Sequence, residues 1–320
     1  MAVSLAGLSL PGPLIAAAGT FGYVREFEQV TDYRALGAIV TKSITAEPRD
    51  GNEPWRVVDL PAGMLNAIGL ANVGVERFMA EKIPDVQHVR QNVRQHARQN
   101  ARQNGGPVVI GSIAGHRIEE YAAVAAAFDG CEDLPAVELN VSCPNTATGR
   151  QFGDDPQQLA ALLDAIRPVL ASTAMFVKLS PGAPDIVAMA AAAVEHGADG
   201  LTLINTYPAM AIDVESRSFR ISRGAGGLSG PAIHPIAVKM VHDVHRDVAG
   251  PAGVPIIGLG GVVKWQDAAE FILAGATAVG VGTGLFVDPN LPAAINRGLQ
   301  RWARRQGVSR LEELRGALNT

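Results

Sequence analysis

The octet Glu138-Leu-Asn140-Val-Ser142-Cys143-Pro144-Asn145 combines a titratable thiol with two carboxamides just past the end of a short apolar run. A lone cysteine is commonly an inert core residue. Cys143 instead lies beyond a strand end, before a proline, in a long polar segment, which favours a reactive thiol. A thiol of ordinary pKa near ~8.5 becomes a competent base if cationic neighbours lower it. Other strand-like runs end on polar residues too, namely Lys42, Lys178 and Asn205. One lysine at a strand end is often a structural ion-pair partner. Two lysines and two asparagines at one mouth suit a flat heterocycle that bears negative charge, because lysine supplies a point cation and asparagine offers donor and acceptor together.

Two glycine runs add a second signal. Gly258-Leu-Gly260-Gly261 and Gly280-Val-Gly282-Thr283-Gly284 each follow an apolar run. Glycine lets backbone N–H groups approach a phosphate closely. Neither run has the G-x-G-x-x-G spacing of a dinucleotide fingerprint. A phosphate site beside two lysines and several amides points to FMN.

The elements that must position these groups are legible as alternating strands and helices. Strands are expected at Leu14–Ala17, Ala38–Thr41, Val108–Ile113, Ala136–Asn140, Met175–Leu179, Gly200–Ile204, Pro255–Leu259 and Ala278–Val281. Helices are expected at about 117–128, 155–170, 184–196, 231–248 and 265–274, with starts such as Asp155-Pro156 and stops such as His196-Gly197. Continuous apolar strands separated by helices imply a parallel sheet, and eight such units imply a closed (β/α)8 TIM barrel, an α/β fold, with 1–320 as one domain. Val3–Leu5 and Leu8–Leu10 flank Ala6-Gly7 as an N-terminal β-hairpin. Segments 43–75, 141–154 and 205–230 exceed ordinary loop length and follow strands two, four and six. All three fall at the C-terminal face, where barrel active sites are built.

The 320 residues are 48% apolar and 18% charged, with a formal net charge of −4. That balance gives no reason to expect nucleic acid or an anionic membrane as a partner. The N-terminus lacks a basic leader and is broken by two prolines, and no apolar run approaches ~18 residues, so a cytoplasmic protein is expected. Cys131 and Cys143 flank a strand whose ends lie roughly 16 Å apart, too far for a disulfide. Two cysteines cannot hold an iron–sulfur cluster alone. The Arg/Gln/Asn tract at 89–106 is read as a solvated helix or loop rather than a basic interaction surface. His242 and His245, three apart, are read as a solvated helix face rather than a metal site; no metal is expected.

The stretch ELNVSCPN, with TKSITAEPRDGN at 41–52, GMLNAIGLANVG at 63–74, VKLSPG at 177–182, INT at 204–206, GGLSGPAIHPIA at 226–237, IIGLGG at 256–261 and VGTGLF at 281–286, resembles the class 1 dihydroorotate dehydrogenases, most closely the class 1B FMN subunits. The likeness runs in order from Leu14 to about Pro289. It implies oxidation of dihydroorotate to orotate in pyrimidine (UMP) biosynthesis, with Cys143 as the base and FMN as hydride acceptor. By the same resemblance Lys42 touches both flavin and substrate. The orotate set is Asn66, Ala67, Ile68, Gly69, Leu70, Asn140, Asn145, Asn205 and Thr206. Flavin contacts are Ala18, Gly19, Lys42, Ser43, Ser112, Asn140, Lys178, Ile204, Gly230, Gly260, Gly261, Gly282 and Thr283. A homodimer and a separate subunit carrying FAD and a [2Fe–2S] cluster are also implied.

The sequence departs from the family where Ala18 replaces a frequent serine and Ser112 a frequent asparagine, and Thr146 through Arg150 replaces paired glycines. Ala18 can contribute only backbone, and Ser112 reaches less far than asparagine. The rival enzymes are a class 1A fumarate-dependent relative and the pyrimidine-reducing domain of dihydropyrimidine dehydrogenase. The membrane-bound class 2 enzymes use serine in place of Cys143. A catalytically silent scaffold barrel is the non-enzyme alternative, and the joint presence of Lys42, Asn66, Asn140, Cys143, Lys178 and Asn205 argues against it.

Overall fold

The computed structural model describes residues 1–99, 106–142 and 152–319. Eight parallel strands close into a barrel: β1 Leu14–Ala16, β2 Ala38–Val40, β3 Val108–Ile113, β4 Ala136–Asn140, β5 Ala174–Leu179, β6 Gly200–Leu203, β7 Ile256–Leu259 and β8 Ala278–Val281, with β8 pairing β1. Each expected strand is found, with its ends moved by one residue at most.

Strand alternation sorts side chains between two apolar layers. Ile15, Ala38, Val40, Ile110, Ala136, Phe176, Ile257 and Ala278 fill the barrel interior together with Leu5 and Leu10. The neighbouring positions, such as Leu14, Ile39, Val109, Val137 and Val177, pack outward under the helices. Leu5 and Leu10 come from the N-terminal hairpin, whose two turn residues Ala6 and Gly7 both have positive φ, 48° and 78°. That conformation twists a two-residue turn to match its strands, and the hairpin plugs the lower end of the barrel. Phe176 fits inside because Gly200 faces it: a Cβ there would stand 2.2 Å from the ring.

The same period carries the interior face upward to the polar groups. Ala38 and Val40 are followed on that face by Lys42, Ala136 by Glu138 and Asn140, Phe176 by Lys178, and Ile110 by Ser112. Pairing registers place Ser112 beside Glu138, and Asn140 and Thr202 on either side of Lys178. The barrel is therefore apolar below and polar at its C-terminal mouth.

Helices Ile118–Phe128, Pro156–Ile166, Ile186–Glu195, His234–Val244 and Trp265–Leu273 lie where the pattern places them. Asp155 and Asp185 cap two of them by accepting from backbone N–H groups two or three residues on. Helix Ile83–Gln99 takes up most of the Arg/Gln/Asn tract and buries Ile83, Val86 and Val89. The final helix, Leu291–Arg305, buries Leu291, Ile295, Leu299 and Trp302. Between β1 and β2 there are two short 3-10 turns, Arg25–Phe27 and Tyr33–Ala35, in place of a full helix.

Two of the three long segments carry strands of their own. Val57–Leu60 and Gly63–Asn66 from the segment after β2, with Tyr207–Met210 and Ala225–Ser229 from the segment after β6, pair into a four-stranded antiparallel sheet beside the mouth. Its inner strands run very close to their neighbours. A Cβ on Gly63 would stand 2.0 Å from the Ser229 carbonyl oxygen, and one on Gly227 1.9 Å from Thr206 Oγ1. Of segment 141–154, residues 143–151 lie outside the described residues. Cys131 is a free thiol. No helix among the described residues is long and apolar enough to cross a membrane.

Candidate active site

A cavity of about 880 Å³ opens at the barrel mouth, bounded by the strand ends on one side and the four-stranded sheet on the other. This lies within the ~300–1,000 Å³ of ordinary small-molecule sites. Lys42, Ser43, Asn140, Lys178, Ile204, Asn205 and Thr206 reach it from the strand ends, and Asn66, Ile68 and Leu70 from the segment after β2. Ala18, Gly19, Gly230, Gly260, Gly261, Gly282 and Thr283 complete the expected set that lines it.

Three expected contacts do not line it. Ser112 is fully buried behind Ser43, with their hydroxyl oxygens 2.8 Å apart. A short side chain at this position therefore supports Ser43 instead of reaching the cavity. Ala67 and Gly69 lie behind the wall formed by Ile68 and Leu70. Ala67 donates its N–H to the Arg56 carbonyl and accepts from Asn52 Nδ2 at 2.8 Å. Gly69 has φ 74° and packs on Asn52 so tightly that a Cβ would meet its backbone nitrogen at 2.7 Å. Cys143 and Asn145 lie outside the described residues.

The carboxamides are fixed by one another. Asn205 Nδ2 donates to Asn140 Oδ1 at 3.1 Å and to Ser142 Oγ at 2.9 Å, while its Oδ1 accepts the Thr206 N–H at 2.8 Å. Asn140 Oδ1 also accepts from the Ser142 N–H, and Tyr121 Oη donates to the Asn140 carbonyl at 2.6 Å. Asn66 Nδ2 donates to the Gly227 carbonyl at 3.1 Å, tying the two inserted segments together.

The two lysines differ. Lys178 is 5% exposed, with Nζ 3.8 Å from Glu138 Oε1, beyond hydrogen-bond reach. Glu138 is itself 2% exposed, and only its Oε2 is engaged, by Thr202 Oγ1 at 2.8 Å. Among the described residues, no protein acceptor takes the Lys178 N–H groups, so they remain for an occupant of the cavity. Lys42 is half-buried, and its pKa is pushed below the usual lysine value first by burial and then by the Arg56 guanidinium, with Glu26 opposing.

At the far end of the cavity, among the described residues, no backbone or side-chain acceptor receives the N–H groups of Gly261, Gly282 or Thr283. Gly19 also lacks any atom within 4 Å of where a Cβ would stand. Donors without protein partners, beside backbone without side chains, fit a phosphate.

Several residues of the site carried no signal of their own in the sequence. Glu138 had no assigned role. Asn72 organises the wall: its Oδ1 accepts from the Thr45 and Gly74 N–H groups, and its Nδ2 donates to Thr45 Oγ1 and the Leu70 carbonyl. Arg56 Nη1 donates to the Asp50 and Asn52 carbonyls, both at 3.0 Å. Glu138 is met by a threonine 64 residues away and Asn72 by Thr45, 27 residues away, while Arg56 meets backbone carbonyls, and no spacing rule reveals such partners. His245, expected on a solvated face, packs half-buried against Gly275 and Gly316.

Comparison with known proteins gives a family match and close relatives. The dihydroorotate dehydrogenase family model matches residues 1–302. The chain is 45% identical to the "Dihydroorotate dehydrogenase B (NAD(+)), catalytic subunit" of Pelobacter propionicus over 319 residues, 99% of this chain and 98% of that protein. It is 43% identical to the protein of the same description from Trichlorobacter lovleyi, with the same coverage. It is 42% identical to the "Putative dihydroorotate dehydrogenase A (fumarate)" of Solibacter usitatus, again over 99% and 98% of the two chains. The chain, with its eight-stranded barrel and carboxamide-lined mouth, belongs to the dihydroorotate dehydrogenase family.

Proposed function

We propose that the chain is the FMN-dependent catalytic subunit of a dihydroorotate dehydrogenase, acting as one domain over 1–320 and oxidising dihydroorotate to orotate in UMP synthesis. The observation that carries this is a single cavity with three carboxamides and two lysines among its lining and unpartnered backbone N–H groups at its far end. The family is flavin-dependent, and the donor set fits one phosphate with no second nucleotide half, which supports FMN over FAD.

Gly261, Gly282 and Thr283 hold the phosphate, and Lys178 and Ser43 meet the ring system. FMN, when bound, supplies the ring that accepts a hydride. The remaining chemistry belongs to the chain. Asn66, Asn140 and Asn205 satisfy the amide-like edges of the substrate, with Ile68, Leu70, Thr206 and Asn145 around it. Lys42 meets negative charge at the join of substrate and cofactor. Cys143 takes the proton from the ring carbon next to the one that loses hydride.

Two relatives are described as catalytic subunits of an NAD(+)-linked enzyme, which supports a separate subunit that passes electrons to NAD⁺; the class 1B resemblance extends this reading to an FAD and [2Fe–2S] subunit and a cytoplasmic homodimer of barrels. A second reading, direct use of fumarate, is favoured by the name of the Solibacter relative.

The test is to release the flavin from purified protein by denaturation, then to assay the isolated chain with dihydroorotate and each of NAD⁺, fumarate and an artificial dye. FMN at one per chain with turnover only with dye is expected. Recovery of FAD, or turnover with NAD⁺ and no partner, contradicts the proposal, and rapid fumarate turnover selects the second reading. Cys143→Ala is expected to retain flavin and to slow its reduction by ~10²–10⁴ at neutral pH; unchanged reduction removes Cys143 from the mechanism.

A further inference from the structure

His234 opens the helix His234–Val244, four residues after Gly230, and is 9% exposed. Its Nδ1 lies 2.8 Å from the Gly260 carbonyl oxygen. A carbonyl can only accept, so Nδ1 carries the proton. The ring meets Phe271 edge-on, with centroids 5.1 Å apart and planes at 89°. Nε2 is buried without a hydrogen bond, 3.5 Å from Glu270 Oε2.

His234, Asp267 and Glu270 bring one ligand atom each within 4.8 Å of one another. Asp267 is already committed, since its Oδ2 caps the Val263 and Lys264 N–H groups and Lys264 Nζ lies 3.6 Å from its Oδ1. The cluster is therefore better understood through what His234 does to Gly260.

Gly260 and Gly261 both have positive φ, 147° and 67°, and both line the cavity. A peptide between two glycines has little steric resistance to rotation about its flanking bonds. It is nevertheless planar and trans, so its C=O and the following N–H point in opposite directions. Whatever holds the Gly260 oxygen away from the cavity aims the Gly261 N–H into it. Among the described residues, no protein acceptor receives that N–H.

We propose that His234 is a positioning residue: its Nδ1–H pins the Gly260 carbonyl and so holds the Gly261 N–H as a donor to the phosphate of the flavin. The inference rests on the FMN reading above. Asparagine places its Nδ2 near the position of the imidazole Nδ1, whereas glutamine carries its amide one methylene farther out.

The experiment titrates apoprotein with FMN and with riboflavin, which lacks the phosphate, following flavin fluorescence. It compares wild type, His234→Asn and His234→Gln, with circular dichroism as the check on folding. His234→Asn is expected to bind FMN within about threefold of wild type, and His234→Gln about tenfold more weakly, the worth of one hydrogen bond. Riboflavin affinity should be equal in all three. Equal FMN affinity in both variants, a matching loss for riboflavin, or loss of the folded barrel in both variants would overturn the proposal. Failure of wild type to bind FMN would instead remove the cofactor reading on which it rests.

Discussion

Asn205 Nδ2 donates to Asn140 Oδ1 at 3.1 Å, joining the end of β4 to the residue two past β6 across the barrel mouth. Both Asn205 amide hydrogens are used, the second on Ser142 Oγ, while among the described residues Asn140 Nδ2 has only a long 3.5 Å contact to Ser43 Oγ. The pair is thereby oriented: Asn140 has donor capacity left over, and Asn205 has acceptor capacity on Oδ1.

Removal of one member should therefore disturb the other. Asn205→Ala is expected to weaken orotate binding about tenfold or more, through a lost bond and a freed Asn140 amide. In a double-mutant cycle with Asn140→Ala, the losses should fall short of additivity by about 0.5–3 kcal/mol. Strict additivity, measured by orotate titration of the flavin spectrum, would mean the two amides act independently.

Lys42 gives a pH dependence with a definite sign. Burial and Arg56 lower its pKa from the ordinary 10.5. Its positive charge is present below the lowered value and lost as pH rises through it, earlier than for an exposed lysine. Orotate affinity should fall along an alkaline limb that begins below 10.5. Arg56→Gln removes the second cause, so the limb should move to higher pH. A limb that stays in place, or moves down, in Arg56→Gln would dissociate it from Lys42. Lys42→Gln should lack the limb and bind orotate roughly 10–100-fold more weakly at neutral pH, the range for a charged hydrogen bond.

The barrel was legible because every strand is a compact apolar run and most are separated by helix-period segments, and strand ends were legible because apolar character stops where the mouth begins. Lys42 could be placed from the alternation Ala38, Val40, Lys42 alone. The sheet beside the mouth could not. Met64 pairs with Ser229, 165 residues away, and the strands there are rich in glycine and half-exposed. Helix Leu291–Arg305 had a visible signal, with Leu291, Ile295 and Leu299 four apart, masked by its many arginines. Ser112 was placed on the cavity by resemblance, and its serine side chain instead stops at Ser43.

Asn72 should be as important to the wall as any residue that lines the cavity. It is 7% exposed and makes four hydrogen bonds, to Thr45, Gly74 and Leu70. Leu70 is held at φ 57°, an unfavourable conformation for leucine. Asn72→Ala leaves buried backbone groups unpaired, at about 1–3 kcal/mol each. A substantial loss of thermal stability is expected, together with weaker orotate binding through the displaced Ile68–Leu70 segment. A variant with unchanged melting temperature and unchanged orotate affinity would show that the segment holds its shape without Asn72.

His245 makes stability fall on mild acidification. Burial lowers its pKa from 6.5, with Arg315 and His242 adding like-charge repulsion. The ring packs where Gly275 and Gly316 leave room, and a Cβ on Gly275 would stand 2.1 Å from its Cγ. A base with a depressed folded pKa is neutral in both states above 6.5, so the fold is unaffected there. As pH falls below 6.5 the unfolded chain takes up the proton first, and stability declines until the folded pKa is passed. His245→Phe keeps a ring against the two glycines and removes the proton. Its stability curve should be flatter than that of wild type below pH 6.5 and parallel to it above, as measured by urea unfolding at a series of pH values. Parallel curves across the whole range would show that His245 stays outside the acid response.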